Sequence, residues 1–163
     1  LTEEGSTDRE LPEVTPIPIV HDSNDFDPLQ VNQVKPLFNG DEATFVDRDD
    51  AVSELSPIVD YLLEHPDYTV ILAGTTATAG TNEQCKELSL RRAEAVRQLM
   101  IDMGTSETQI KHVIGLGYDH EFHVEDLNAD GSLNEKNAPE NRAVLVIGTS
   151  TEAAQILEKY YIE

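Results

Sequence analysis

The chain has 163 residues, with 32 Asp and Glu against 11 Lys and Arg and a formal net charge of −21. That length suits one domain with a hydrophobic core and hardly two. The charge excludes nucleic acid and anionic membrane surfaces as partners, because nothing would offset phosphate repulsion. A single cysteine, Cys85, rules out an intrachain disulfide or a CxxC metal pair. No apolar run reaches the length of a transmembrane span.

Residues 1–28 are acidic, Pro-rich and aperiodic, and read as a linker or flexible N-terminal segment with a short extended piece at PIPIV. No signal-peptide core is visible and the first residue is not Met, so an upstream signal, or a membrane or lipid anchor, is expected outside this sequence. A domain over 29–150 follows. VNQVKPLF is a candidate strand, with Pro36 marking an edge or an early end. NGDEATFVDRDD is a loop finishing in helix-start acids. AVSELSPIVDYLLEHP places Val52, Leu55, Val59 and Leu62 on one helical face, with Pro57 as a kink or late start. YTVILAG is a buried strand. A second helix is expected from Lys86 to Met103, stopped by Gly104. IKHVIGLGY and RAVLVIG are two further strands, separated by an acidic loop from Asp119 to Glu140. Residues 151–163 form a C-terminal helical tail. The order β-α-β-α-β-β predicts an α+β fold, a two-layer sandwich of a mixed four-stranded sheet with helices on one face.

The second helix carries adjacent arginines. On a wheel of about 100° per residue, Leu88, Ala93, Val96, Leu99, Met100 and Met103 gather on one arc. Arg92 falls inside that arc and Arg91 nearly opposite it. An inward guanidinium needs an acceptor, because an unpaired buried charge is costly, and its planar fork suits a carboxylate. The acceptor is either a ligand carboxylate or an internal Asp or Glu.

The stretches GTTATAG, LSLRRAEAV and ENRAV together resemble the OmpA-like domain, the peptidoglycan-binding module of outer-membrane protein A, peptidoglycan-associated lipoproteins and flagellar stators. That family reads roughly G-H-T-D-x-x-G, then N-x-x-L-S-x-x-R-A, then N-R-R-V. Gly74, Thr76 and Gly80 match the first element, Leu88, Ser89, Arg92 and Ala93 the second, and Asn141, Arg142 and Val144 the third. The resemblance implies a non-catalytic, extracytoplasmic cell-envelope module that binds the stem peptide of peptidoglycan, or another carboxylate-bearing ligand, and anchors its parent protein. It implies a ligand-binding set of Arg92, Arg142, Asn141 and the turn residues Thr76, Ala77 and Thr78. In the family the arginine grips a carboxylate of diaminopimelate and the aspartate grips its amino group. Here Ala77 stands at the aspartate position, Thr75 at the histidine, Cys85 at the helix asparagine and Ala143 at the second arginine. The alternative function is therefore an OmpA-like scaffold or interaction domain that has lost diaminopimelate binding.

No cofactor is expected. DLNADGSLNEKN resembles the front of an EF-hand loop, with Asp126, Asn128 and Asp130 as candidate calcium ligands and Gly131 at the sharp turn. Asn137 stands where a bidentate Glu is needed, so a solvated loop is the competing reading. His112, His120 and His123 lie close in sequence, and HEFH offers two zinc ligands with Glu121 or Glu125 nearby, but no third ligand stands out. No nucleophile elbow or phosphate loop is present, which argues against an enzyme.

Overall fold

The structure, a computed structural model, describes residues 19–20, 23–35, 38, 42–78, 80–120 and 122–161. Its elements are β1 (Ile19–Val20), β2 (Val31–Val34), α1 (Arg48–Glu64), β3 (Val70–Thr75), α2 (Asn82–Asp102), β4 (Ile110–Gly117), α3 (Ala138–Asn141), β5 (Val144–Gly148) and α4 (Glu152–Tyr161). Among the described residues they build one mixed five-stranded sheet in the order β1-β2-β5-β3-β4. The β1–β2 and β3–β4 pairs are parallel, and β5 runs antiparallel to both β2 and β3. The fifth strand is the extended piece expected at PIPIV: Ile19 and Val20 pair with Val31 and Asn32, so the sheet begins within the stretch read as linker. Residues 1–18 lie outside the described residues.

Alternate residues of the central strands face opposite ways. Val34, Val70, Leu72, Val144 and Val146 pack under α1 and α2, against Leu55, Ile58, Leu62, Val96 and Met100. Val31, Ile71, Ala73, Leu145 and Ile147 pack on the other face with Ala153, Ala154 and Leu157 of α4. The expected helical layer is thus joined by the C-terminal helix on the opposite side. All residues of β3 and β5 are buried, as strands covered on both faces must be.

Asp47 caps α1, accepting from the backbone N–H groups of Asp49 and Asp50. The helix runs through Pro57. Proline denies a hydrogen bond to the carbonyl four residues back, and that residue, Ser53, is exposed, so water can serve it. α2 starts at Asn82, earlier than Lys86, because Thr81 and Gln84 form a reciprocal capping box. Its buried stripe is Cys85, Ser89, Ala93, Val96, Leu99 and Met100. Leu88 and Arg92 lie at the border of that stripe, half-buried, and Arg91 is exposed.

The far end of α1 is closed by a distant side chain. Buried Gln109 shares its amide hydrogens among the carbonyls of Leu62, His65 and Tyr68 at 2.9, 3.0 and 3.1 Å. Gln109→Leu removes these bonds, leaving the Leu62 and His65 carbonyls only their backbone donors, His65 and Tyr68 N–H, and chemical denaturation is expected to show a loss of about 2 kcal/mol. An unchanged midpoint would mean that water replaces the amide.

Candidate functional site

Sheet register gathers the candidate residues at one end. Val144, at the start of β5, faces Val34 at the end of β2 and Gly74 near the end of β3, while Thr75 aligns with Gly117 at the end of β4. The loops after β2, β3 and β4 and the segment entering β5 therefore leave from the same edge of the fold.

Close packing brings α2 to this end. A Cβ added at Gly74 would sit 2.0 Å from the Ser89 carbonyl oxygen. Ser89 is fully buried, and its hydroxyl accepts from Gly117 N–H at 3.1 Å. Asn82, in the first turn, accepts through Oδ1 from Tyr118 and Asp119 N–H groups at 2.9 and 3.2 Å. Gly117, at φ +65°, makes the turn that allows this, and a Cβ there would lie 2.5 Å from Asn82 Oδ1.

Arg92 lies one turn beyond Ser89, and helical side chains lean toward the N-terminus, back toward the loop end. Its Nε donates to the Glu42 carbonyl at 2.8 Å, and its guanidinium carbon lies 4.9 Å from the centre of the Phe38 ring. Phe38 in turn stacks on Phe45, with centroids 5.1 Å apart. The inward orientation expected from the wheel becomes a sideways one: Arg92 reaches the loop after β2, held by a backbone carbonyl and an aromatic face.

The turn after β3 is anchored residue by residue. Thr75 directs both N–H and Oγ1 to the Ala143 carbonyl, at 2.9 and 3.2 Å. Thr76 N–H reaches the Gly117 carbonyl at 2.8 Å, while its hydroxyl is buried with no hydrogen-bond partner. Ala77 is buried. Thr78 meets Asp126, donating N–H to Oδ2 at 2.9 Å and the hydroxyl to Oδ1 at 2.7 Å. Asn141 donates to the same Oδ2 at 2.9 Å. The Asn141 amide also clasps Val124, accepting from its N–H at 2.9 Å and donating to its carbonyl at 2.7 Å. Thr78, Asp126 and Asn141 thus form a latch joining the turn, the long loop and the entry to β5.

Burial by itself would raise the Asp126 carboxyl, but the two Thr78 donors, the Asn141 amide and nearby His123 outweigh it and hold the group below the usual range. His123 Nε2 lies 3.6 Å from Asp126 Oδ1 and 3.4 Å from Thr78 Oγ1.

The expected calcium trio is divided, with Asp126 apart from Asp130 and Asn128, which both bond Ser132. Asp126 turns inward to the latch, Asp130 accepts from Ser132 N–H and hydroxyl at 2.9 and 2.6 Å, and Asn128 donates to Ser132 Oγ at 3.0 Å. Among the described residues no group of three His, Cys, Asp or Glu is arranged to hold a metal ion. Arg142 is exposed and pairs with Glu135 at 3.5 Å. Asn141 is spent on the latch and Arg142 on a surface pair, so of the matched positions Arg92 keeps the most distinctive setting. The latch was invisible in the sequence: its two main partners are 48 positions apart, and nothing about Thr78 or Asp126 alone distinguishes them from other loop residues.

A family model, described as the OmpA family, matches residues 37–139, more than half of the chain. The chain belongs to the OmpA family. Its fold is similar to the peptidoglycan-associated lipoprotein of Burkholderia pseudomallei, at 24% identity and a TM-score of 0.55, covering 71% of this chain and 88% of that one. The periplasmic domain of Helicobacter pylori MotB is similar at 17% identity and a TM-score of 0.55, with 79% and 91% covered. A MotB-like protein of Desulfovibrio vulgaris gives 18% identity and a TM-score of 0.54, with 72% and 71% covered. No curated protein matches the chain. As an OmpA-family domain it is a non-catalytic structural or binding module. No helix among its described residues is long and apolar enough to cross a membrane. In this OmpA domain the packing members of the family pattern, Gly74 and Ser89, fit tightly together, whereas the position of the family's aspartate is a buried alanine.

Proposed function

We propose that this OmpA domain is an extracytoplasmic, non-catalytic module that associates with peptidoglycan and anchors the protein to which it belongs, with Arg92 holding a carboxylate of the stem peptide. The observation that carries this reading is the placement of Arg92. A half-buried guanidinium lies against an aromatic face and donates through Nε to the Glu42 carbonyl, at the end of the sheet where three loops meet. Such a fixed fork loses little freedom on meeting a carboxylate. The similarity to a peptidoglycan-associated lipoprotein and to a periplasmic domain of MotB supports the same reading.

Retention on purified cell walls tests it. The wild type is expected to bind, Arg92→Ala to bind at least about tenfold more weakly through loss of a charge-assisted pair, and Arg91→Ala, on the exposed face, to bind as wild type. A well-folded Arg92→Ala domain retained like wild type excludes the reading.

The burial of Ala77 favours a second reading, a scaffold domain without diaminopimelate recognition. Under it the wild type is not retained on cell walls, and Arg92→Ala alters only the melting temperature.

A further inference from the structure

We infer that Phe38 is the positioning residue of Arg92: its ring sets how the guanidinium faces, and through it the preference for a charged carboxylate. The inference rests on the peptidoglycan reading above and adds the side chain that makes the arginine selective. Phe38 lies beyond the end of β2 and is tied to the far side of its own loop. It forms an antiparallel bridge with Phe45, and the two rings stack with centroids 5.1 Å apart and planes 27° apart. Both side chains are half-buried and pack against the core beneath α1 and α2. A ring held by a second ring and by the core offers Arg92 a fixed surface.

Two contacts on the guanidinium do different work. Nε donates to the Glu42 carbonyl at 2.8 Å. A bond from Nε lies in the guanidinium plane, so it fixes where the group sits but leaves it free to swivel about that bond. The Phe38 ring supplies the second constraint. The central guanidinium carbon stands over it, 4.9 Å from the centroid, within the roughly 6 Å reach of cation–π attraction. The planar fork meets a carboxylate through two parallel bonds only when the two planes agree. A guanidinium held at one point meets that condition in few of its orientations, whereas one held at two points is set before the ligand arrives. An aliphatic side chain at 38 would fill the same space without the negative face that draws the cation.

Binding is measured on the full chain with two probes: a soluble stem tripeptide ending in diaminopimelate, and the same tripeptide amidated at its diaminopimelate carboxyl groups. The wild type is expected to bind the free acid about tenfold more tightly than the amide, the scale of one charge-assisted pair. Phe38→Leu, checked for folding by its melting curve, is expected to lose about threefold or more of that preference while binding the amide as the wild type does. Phe38→Tyr keeps a ring face and is expected to keep the preference. Equal weakening of both probes by Phe38→Leu would mean a loosened loop and overturns the positioning role. A folded Phe38→Leu with the full preference overturns it too and leaves the Arg92 reading standing. Absence of any preference in the wild type overturns both. The wild type alone decides the matter if Phe38→Leu does not fold: in NMR spectra its Arg92 Nε–H is expected to exchange with water more slowly than that of exposed Arg91, and equal rates overturn the held guanidinium.

Discussion

Gly74→Ala is expected to cost the domain about 3 kcal/mol or more, the upper part of the range for overpacked substitutions. A new methyl carbon would stand 2.0 Å from the Ser89 carbonyl oxygen and 2.7 Å from its carbonyl carbon. Both are backbone atoms in the middle of α2, so no side-chain rotation relieves the clash. Relief requires the helix to lift from β3, which would open the contact between Ser89 Oγ and Gly117 N–H and loosen Val96 and Met100 in the core beneath α2. The backbone at Gly74 is not in the left-handed region, so the cost is steric alone. Gly131→Ala is the contrasting control. No atom lies within 4 Å of its added Cβ, but its φ is +87°. The expected cost there is about 1 kcal/mol of local strain in an exposed loop. Denaturant melts of the two variants separate these causes. Gly74→Ala that melts like Gly131→Ala would mean that α2 sits farther from the sheet than the structure places it.

Much of the fold was legible because it depends on local patterns. The apolar runs VILAG and VLVIG marked the central strands, and they are apolar on both faces because both faces are covered. The reading of helices on one face alone missed the layer supplied by α4, because a terminal amphipathic helix does not say on which face it will settle. The early start of α2 was written in Thr81 and Gln84, a capping pair with its own signature. The site was less legible. Helical periodicity placed Arg92 inside the buried arc and Arg91 nearly opposite, but could not foresee that Phe38 and Glu42, fifty or more positions away, would receive the guanidinium. Asp126 read as a loop acid suited to calcium because its spacing to Asn128 and Asp130 is local. Its actual partners, Thr78 and Asn141, are set by which loops leave the same end of the sheet. Spacing describes only neighbours along the chain, whereas a buried acid is defined by neighbours across it.

The packing positions of the family pattern persist in this chain, whereas the position of its aspartate is a buried alanine. Gly74, Ser89 and Asn82 are tied to one another and to Gly117 by contacts that any ligand chemistry would leave in place. They preserve the approach of α2 to the sheet, and with it the stage on which Arg92 stands. Ala77 and Ala143 are both buried, so the smaller residues leave no exposed gap where charged ones stand in the family pattern. The carboxylate contact proposed for Arg92 therefore does not depend on the residue at 77, where alanine stands in place of the acid of the family pattern.

Asp126→Ala is expected to destabilise the domain by about 3 kcal/mol, because truncation leaves Thr78 N–H, the Thr78 hydroxyl and one Asn141 amide hydrogen facing a buried gap. The same group gives stability a defined pH dependence. Its folded carboxyl is held below the ordinary value of about 3.9. The folded state therefore binds its proton less readily than the unfolded chain does. The latch contributes fully above the unfolded value and is lost as pH falls through the folded one. Amide hydrogen exchange between pH 6 and pH 3 is the measurement of choice, with rates corrected for their intrinsic pH dependence. Protection at Thr78 and Val124, the amides held by Asp126 and by Asn141, is expected to fall together on acidification. Protection at Gly117, which donates to Ser89 instead, is expected to persist. Asp126→Ala should show the low-pH pattern at every pH. If Thr78 and Val124 lose protection at different pH values, the turn and the loop open independently, and Asp126 does not couple them.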